Sequence, residues 1–140
     1  EGGLDLIKKF HDIKNISDDL TNAGVRVSLF IAPEIDQIDK AIEMKVPIIE
    51  LHTGNYADFD GELKNKELKK IQQAVEYAKK AGLLVNAGHG LHYENVQNIA
   101  KIDGIHELNI GHAIVAKALF IGWENAVIEM KKIIKEYAQS

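Results

Sequence analysis

The sequence contains no cysteine and only two prolines among its 140 residues. The absence of cysteine excludes disulfide bonds and thiolate catalysis. The sequence also lacks an apolar run of about 18 residues, which a membrane-spanning helix requires, so we expect no membrane partner. With 46% hydrophobic and 27% charged residues, the composition predicts a soluble globular protein with an ordinary core.

Neither sign of charge dominates the sequence. Lysine and arginine number 17 against 21 aspartates and glutamates, and the formal net charge is -4. Because the basic residues are scattered among acidic ones, we expect no nucleic-acid partner. No signal peptide opens the chain, which predicts a cytoplasmic enzyme or binding protein. The first residue is Glu1 rather than methionine, and we therefore expect the sequence to begin part-way through a longer one.

Strand-like and helix-like segments alternate along the chain. Apolar runs predict strands at 25–31, 46–52, 83–87 and 105–110. Helical periodicity predicts a helix at 5–23, a second that begins at Pro33, a long third that ends before Gly82, and a fourth at 93–102. Beyond residue 111 it predicts two more helices, one on each side of Gly122. Residues 53–62 are predicted to be a polar loop.

This alternation predicts an α/β fold with a parallel sheet, since strands separated by helices pair through right-handed crossovers. Two architectures fit the pattern: an open doubly wound sheet, or part of a (β/α)8 barrel. A complete barrel needs about 250 residues, so the chain would supply only half of one. Half a barrel has two open strand edges, and we expect another chain or segment to complete it.

One polar signature, Asn-x-Gly-His, occurs twice, at Asn86–His89 and at Asn109–His112. Each copy lies at the carboxyl end of a predicted strand, and in a parallel sheet these ends form one rim where ligands bind. Glycine permits close backbone approach, and backbone N–H groups at helix starts bind anions, so the repeat predicts a phosphorylated ligand. The alternative is that the glycines form tight turns and the asparagines satisfy buried backbone groups.

A second candidate pair is Glu50 and His52, which share one face of a predicted strand because side chains alternate along strands. Such a pair can exchange protons, or it can simply close a buried hydrogen-bond network. Together with His89 and His112 it contains the residue types of a two-histidine, one-carboxylate metal site. No characteristic ligand spacing is present, however, and we predict no metal. No role is assigned to His11, His92 or His106.

Several segments carry a family resemblance: "EGGLDL", "RVSLFI", "IIELHTGNYAD", "VNAGHGLHYENV" and "HELNIGHAIVAKALFIG". They resemble the carboxyl-terminal part of the pyridoxine 5′-phosphate synthase family, and the resemblance spans nearly the whole chain. It implies a (β/α)8 TIM barrel, of which residues 1–140 form a single domain supplying strands five to eight. The amino-terminal half would then lie outside this sequence.

The resemblance also implies an activity. The family condenses 1-deoxy-D-xylulose 5-phosphate with 3-amino-2-oxopropyl phosphate, releasing phosphate and water, without an organic cofactor or a catalytic metal. His89 matches its proton donor and Glu50 its transition-state stabiliser, while Gly90, Gly111 and His112 match positions that bind the aminoketone phosphate. A homo-octamer is implied. Gly2 and Gly3 resemble hinges of a lid, although they can also be permissive glycines of a loop.

Three further polar residues are secondary candidates from their positions: His52, Asn86 and Asn109. Two alternative functions stay open at this point. One is a phosphate-binding half-barrel module without activity, which would keep the glycines but not need Glu50 or His89. The other is a metal-dependent barrel aldolase or epimerase.

Overall fold

The computed structural model describes residues 2–138. After the first helix, each strand is followed by one helix or by two consecutive helices. The strands are β1 (Ser28–Ile31), β2 (Ile48–His52), β3 (Leu84–Gly88) and β4 (Ile105–Asn109). The helices are α1 (Phe10–Asn22), α2 (Ile35–Glu43), α3 (Gly54–Asp58), α4 (Gly61–Lys80), α5 (Val96–Ala100), α6 (His112–Ile121) and α7 (Trp123–Tyr137).

The four strands form one parallel sheet in the order β1-β2-β3-β4. The spatial order follows the chain order, so each crossover connects neighbours, as it does around a (β/α)8 barrel. A doubly wound sheet would instead reverse its order at a switch point. The predicted parallel α/β fold is thus confirmed, and the topology is consistent with half of a barrel.

The core lies on one face of this sheet. Alternate residues of β1 and β2, such as Leu29 and Ile49, are buried, and the last four residues of β3, which include Val85, are all buried. These three apolar residues belong to one hydrophobic cluster with helix residues such as Ile38 and Ile71, which are fully buried. The apolar faces of the helices therefore pack against the apolar face of the sheet.

The opposite face of the sheet is more polar and more open. Register pairs Phe30 with Glu50, Glu50 with Asn86, and Asn86 with Glu107, so that these four side chains form a row across the strands. Glu50 is half-buried and Glu107 is exposed. In a closed barrel this face would be the interior.

Several sequence-based boundaries are wrong: β1 and β2 begin later than predicted, at Ser28 and Ile48, and three further differences occur around the helices. Helix α1 begins at Phe10 rather than at residue 5. Residues 6–9 form a separate turn, which is closed by the Lys9 amide on the Asp5 carbonyl and capped by the Asp5 carboxylate, which accepts hydrogen bonds from the amides of Ile7 and Lys8. Pro33 lies outside α2, which begins at Ile35. The predicted loop at 53–62 contains a short helix, α3.

The helical region after β4 divides where it was predicted to divide. Gly122 has a φ of 81°, in the left-handed region that favours glycine, and it separates α6 from α7. Within α6 no residue is buried, and Leu119 and Phe120 are among the most exposed apolar side chains. Over residues 2–138, none of the helices combines the length and apolarity that crossing a membrane requires.

Candidate functional site

A cavity of about 610 Å³ opens beyond the carboxyl ends of β2, β3 and β4. Six of the eight candidate site residues line this cavity: Glu50, His89, Gly90, Asn109, Gly111 and His112. They come from two strands, β2 and β4, from the loops that follow β3 and β4, and from the first residue of α6. The parallel sheet brings them together because all its strands end at the same edge.

Glu50 is held by a residue two strands away. Its Oε2 accepts a hydrogen bond of 2.8 Å from Nδ2 of Asn109, although β3 lies between their strands. Gly88 of β3 leaves the space for this contact, since a Cβ there would lie 2.3 Å from Oε1 of Glu50 and 3.1 Å from Cβ of Asn109. The carboxylate therefore occupies the volume that a side chain at Gly88 would fill.

His89 has an unusual backbone conformation. Its φ is 80°, a left-handed value that non-glycine residues rarely adopt. The imidazole stacks on that of His52, with ring centroids 4.8 Å apart and planes inclined by 22°. Phe30 packs against the His52 ring with a centroid separation of 5.3 Å. His52 therefore contacts His89, which lines the cavity, but does not line the cavity itself.

Gly54 leaves the space for this stack, and Gly90 lets the loop after β3 pack closely on α3. A Cβ at Gly54 would lie 2.4 Å from Cε1 of His52 and 3.0 Å from Cδ2 of His89, and a Cβ at Gly90 would lie 2.6 Å from Cβ of Ala57. Gly90 also has a φ of 74°. Two consecutive residues after β3 therefore turn through left-handed conformations against the start of α3.

Thr53 binds the end of β3 from the end of β2. It is fully buried, and its hydroxyl lies 2.6 Å from the carbonyl oxygen of His89 and 2.8 Å from that of Gly88. Its backbone amide donates to Gly88 as well. The sequence indicates only that Thr53 follows a strand, and its part in fixing His89 is visible only in the structure.

Asn95 holds the same loop from the other side. Its Nδ2 donates to the carbonyl of Gly90 over 3.1 Å, and its Oδ1 accepts the amide of His92 over 2.7 Å. Tyr56, which is buried, donates its hydroxyl to the backbone carbonyl of Asn95. No motif in the sequence singles out either Asn95 or Tyr56.

The two copies of Asn-x-Gly-His are not equivalent in structure. Gly88 is buried inside a strand, whereas Gly111 is exposed and a Cβ there would meet nothing within 4 Å. His89 lies in a loop, whereas His112 is the first residue of α6, with Gly111 at its N-cap. The second copy therefore places the unpaired N–H groups of a helix start beside the cavity, an arrangement that binds anions.

Asn86 lies beneath the cavity rather than in its lining. It is 7% exposed and is in register with Glu50 on β2. Within residues 2–138, its Oδ1 has no hydrogen-bond partner. A buried amide oxygen without a partner is costly, so this atom is available to accept a hydrogen bond.

The remaining histidines separate into two groups. His92 was assigned no role but lines the cavity, and its Nδ1 accepts the amide of Glu94 over 3.2 Å. His11 and His106 are exposed and do not line the cavity. Among residues 2–138, the structure contains no group of three or more histidine, aspartate or glutamate side chains arranged to hold a metal ion.

One cavity is thus bordered by a carboxylate, by imidazoles and by a helix start. A carboxylate stabilises developing positive charge, imidazoles transfer protons near neutral pH, and a helix start binds phosphate. The arrangement suits acid-base chemistry on a phosphorylated molecule.

Comparison with known proteins gives a concordant result. A family model described as "Pyridoxal phosphate biosynthesis protein PdxJ" matches residues 1–136. The chain is 50% identical over 137 residues to the pyridoxine 5′-phosphate synthase of Blochmanniella pennsylvanica (strain BPEN). That match covers 97% of this chain but 56% of the relative, so the chain spans about half of the relative's length.

Proposed function

Because the chain belongs to the PdxJ family of pyridoxal phosphate biosynthesis proteins, we propose that it forms the carboxyl-terminal half of a (β/α)8 barrel. Residues 1–140 are then one domain that supplies strands five to eight. The part of the family protein beyond this sequence supplies the other four strands. The sequential order of the parallel sheet and the polar, open face that would become the barrel interior support this architecture.

The completed barrel condenses 1-deoxy-D-xylulose 5-phosphate with 3-amino-2-oxopropyl phosphate to give pyridoxine 5′-phosphate, phosphate and water. The observation that carries this proposal is the shared cavity that Glu50, His89 and His112 line in a chain of this family. Ring closure requires imine formation, loss of phosphate and dehydration, and each of these steps needs a proton delivered to a leaving oxygen.

Each residue of the cavity has a distinct task in this reaction. His89 donates protons, and Glu50 stabilises the positive charge that develops on nitrogen. Gly90, Gly111 and His112 bind the aminoketone phosphate, and the start of α6 adds backbone N–H groups to that site. Two of the secondary candidates act through these groups: Asn109 orients Glu50, and His52 supports the His89 ring. Asn86 lies beneath the cavity beside Glu50, with its Oδ1 available to accept a hydrogen bond.

The proposal extends to the setting of the enzyme. The reaction uses no organic cofactor and no catalytic metal, the enzyme assembles as a homo-octamer, and it works in the cytoplasm on small phosphorylated substrates. Gly2 and Gly3 act as hinges of a lid. Gly3 already lies close to β1, since a Cβ there would be 2.7 Å from the Ile31 backbone.

The test uses a completed enzyme, in which the part of the Blochmanniella relative that this chain does not match is joined ahead of residues 1–140. With both substrates, it should release pyridoxine 5′-phosphate and inorganic phosphate in equal amounts, measured by chromatography and by phosphate assay. Glu50→Gln should slow turnover about 100-fold or more, the effect of removing a preorganised electrostatic group. Glu136→Gln, an exposed change in α7, is the matched control.

Two results would overturn the proposal. A folded completed enzyme that binds both substrates yet releases no phosphate would be a binding module. Turnover that disappears with a chelator and returns with a divalent metal would indicate a metal-dependent barrel enzyme.

A further inference from the structure

The hydroxyl of Thr53 does not perform the task that its position would suggest. Thr53 is the N-cap residue of α3, where threonine normally accepts a hydrogen bond from an amide of the first helical turn. No such side-chain cap is formed in α3. The hydroxyl instead points across to the end of β3, within hydrogen-bond distance of two carbonyl oxygens.

Of these two carbonyls, His89 depends more on the hydroxyl. The carbonyl of Gly88 already accepts the backbone amide of Thr53 over 2.8 Å. The carbonyl of His89 lies closer to the hydroxyl, at 2.6 Å against 2.8 Å for Gly88. A hydroxyl carries one proton, so its stronger hydrogen bond goes to His89.

This contact is made at a strained position. His89 has a φ of 80°, which is unfavourable for a residue with a Cβ and persists only where the surroundings enforce it. The next carbonyl, that of Gly90, is held by Nδ2 of Asn95. The two side chains therefore fix consecutive peptide groups, one from each side of the loop.

We propose that Thr53 is a positioning residue for His89: its hydroxyl holds the His89 carbonyl and so keeps the backbone in the left-handed conformation that directs the imidazole onto His52 and into the cavity. Asn95 completes the restraint. The catalytic part of this inference rests on the proposed function, because it requires His89 to be the proton donor. The structural part of the inference, that Thr53 fixes the conformation of His89, is independent of the proposed function.

Three variants separate this role from a contribution to folding alone. Thr53→Val keeps the branched shape and removes the hydroxyl, Thr53→Ser restores the hydroxyl, and Thr21→Val makes the same change at an exposed threonine in α1. In the completed enzyme, Thr53→Val should lower kcat at least about 10-fold with little change in KM, because a displaced proton donor impairs chemistry more than binding. Thr53→Ser and Thr21→Val should retain kcat within about 3-fold of the parent enzyme, by the same reasoning.

The second readout does not require activity. In NMR spectra of the 140-residue chain, contacts between the ring protons of His52 and His89 should be present in the parent, in Thr53→Ser and in Thr21→Val, and lost in Thr53→Val. If the completed enzyme is inactive in all forms, the proposed function fails while these spectra still decide the placement of His89. Retained ring contacts together with parental kcat in a folded Thr53→Val protein would overturn the inference. If Thr53→Val does not fold, two other variants test the inference. Loss of the ring contacts in Thr53→Ser would overturn the inference. Unchanged ring contacts in Asn95→Asp, which no longer donates to Gly90, would also overturn it.

Discussion

Asn109 donates a hydrogen bond to Glu50 across an intervening strand. The contact joins β2 to β4 over 2.8 Å, and it exists because Gly88 of β3 has no side chain between them. Glycine in a strand interior normally weakens the strand. Because Gly88 has no side chain, the Glu50 carboxylate can lie over the sheet with a fixed orientation.

The first prediction concerns the space above Gly88 that the Glu50 carboxylate occupies. Gly88→Ala should displace the Glu50 carboxylate, since the new Cβ would lie 2.3 Å from Oε1. We expect the free energy of unfolding to fall by about 1–3 kcal/mol, the usual effect of overpacking, and kcat of the completed enzyme to fall with it. Urea denaturation and steady-state kinetics measure the two effects.

Two further variants control this prediction. Gly111→Ala places the same methyl group in open space, so its loss of stability should be smaller and limited to the preference for glycine over alanine at an N-cap. Combining Gly88→Ala with Glu50→Asp shortens the carboxylate and should recover part of the lost stability. Equal losses in Gly88→Ala and Gly111→Ala, or no recovery in the double variant, would mean that contact with Glu50 is not the cause.

The fold was largely predictable because its signals are local and repeated. Short β-branched runs such as the one ending at Ile31 alternate with amphipathic helices, and only a parallel sheet satisfies that order. Boundaries were less predictable. Residues 6–9 continue the helical pattern of α1 but form a separate turn, which the Asp5 carboxylate caps by accepting hydrogen bonds from the amides of Ile7 and Lys8.

The site was predictable as a list of residues but not as an arrangement. Position at strand ends indicated that Glu50 and His89 would meet at one rim, and both line the cavity. Spacing could not reveal that Asn109 reaches Glu50 over Gly88, because that contact depends on register across three strands. The repeat also suggested equivalent copies, whereas only Gly88 is closely packed.

The second prediction uses the left-handed backbone at His89. Asparagine tolerates positive φ better than alanine does, so His89→Asn should preserve the free energy of unfolding while His89→Ala lowers it by about 1 kcal/mol. Both should reduce kcat of the completed enzyme at least about 100-fold, the lower range for a lost general acid. Near-parental turnover in His89→Asn would remove His89 from the role of proton donor.

The third prediction concerns Lys45, which has a φ of 61° immediately after α2. Its amide donates to the carbonyl of Ile42, as in helix ends that favour glycine. Lys45→Gly should raise the free energy of unfolding by about 0.5–1 kcal/mol, because the strain removed exceeds the added entropy of the unfolded chain. A higher urea midpoint with an unchanged slope measures this gain.

The control for Lys45 is Lys66→Gly, at an exposed position inside α4. Glycine there has no strained conformation to relieve and should lower stability by about 1 kcal/mol. Opposite signs for the two variants are therefore expected. A loss in both would show that the backbone of Lys45 is not strained in solution.

The fourth prediction is a pH dependence that arises at Asp5. The backbone amide of Lys8 donates to its carboxylate, the Lys8 ammonium lies 3.1 Å from it, and together they hold the pKa of Asp5 below its usual value. A carboxyl group whose pKa is lower in the folded state stabilises the fold above its unfolded pKa of about 3.9, and this contribution disappears as the pH falls through the folded pKa. Asp5→Asn keeps an oxygen that can accept the amide but removes the charge.

Thermal denaturation from pH 6 to pH 2 measures the effect. The parent should melt at a higher temperature than Asp5→Asn near pH 6, and the difference should begin to shrink near the unfolded pKa of about 3.9 and vanish only below the lower folded pKa, where the parent carboxyl is protonated in both states. Asn55→Ser, an exposed change in α3 that removes no titratable group, is the control and should differ from the parent by an amount that varies little with pH. A difference at Asp5 that grows on acidification would contradict the assignment, because it would require the carboxyl to be stabilised in its neutral form.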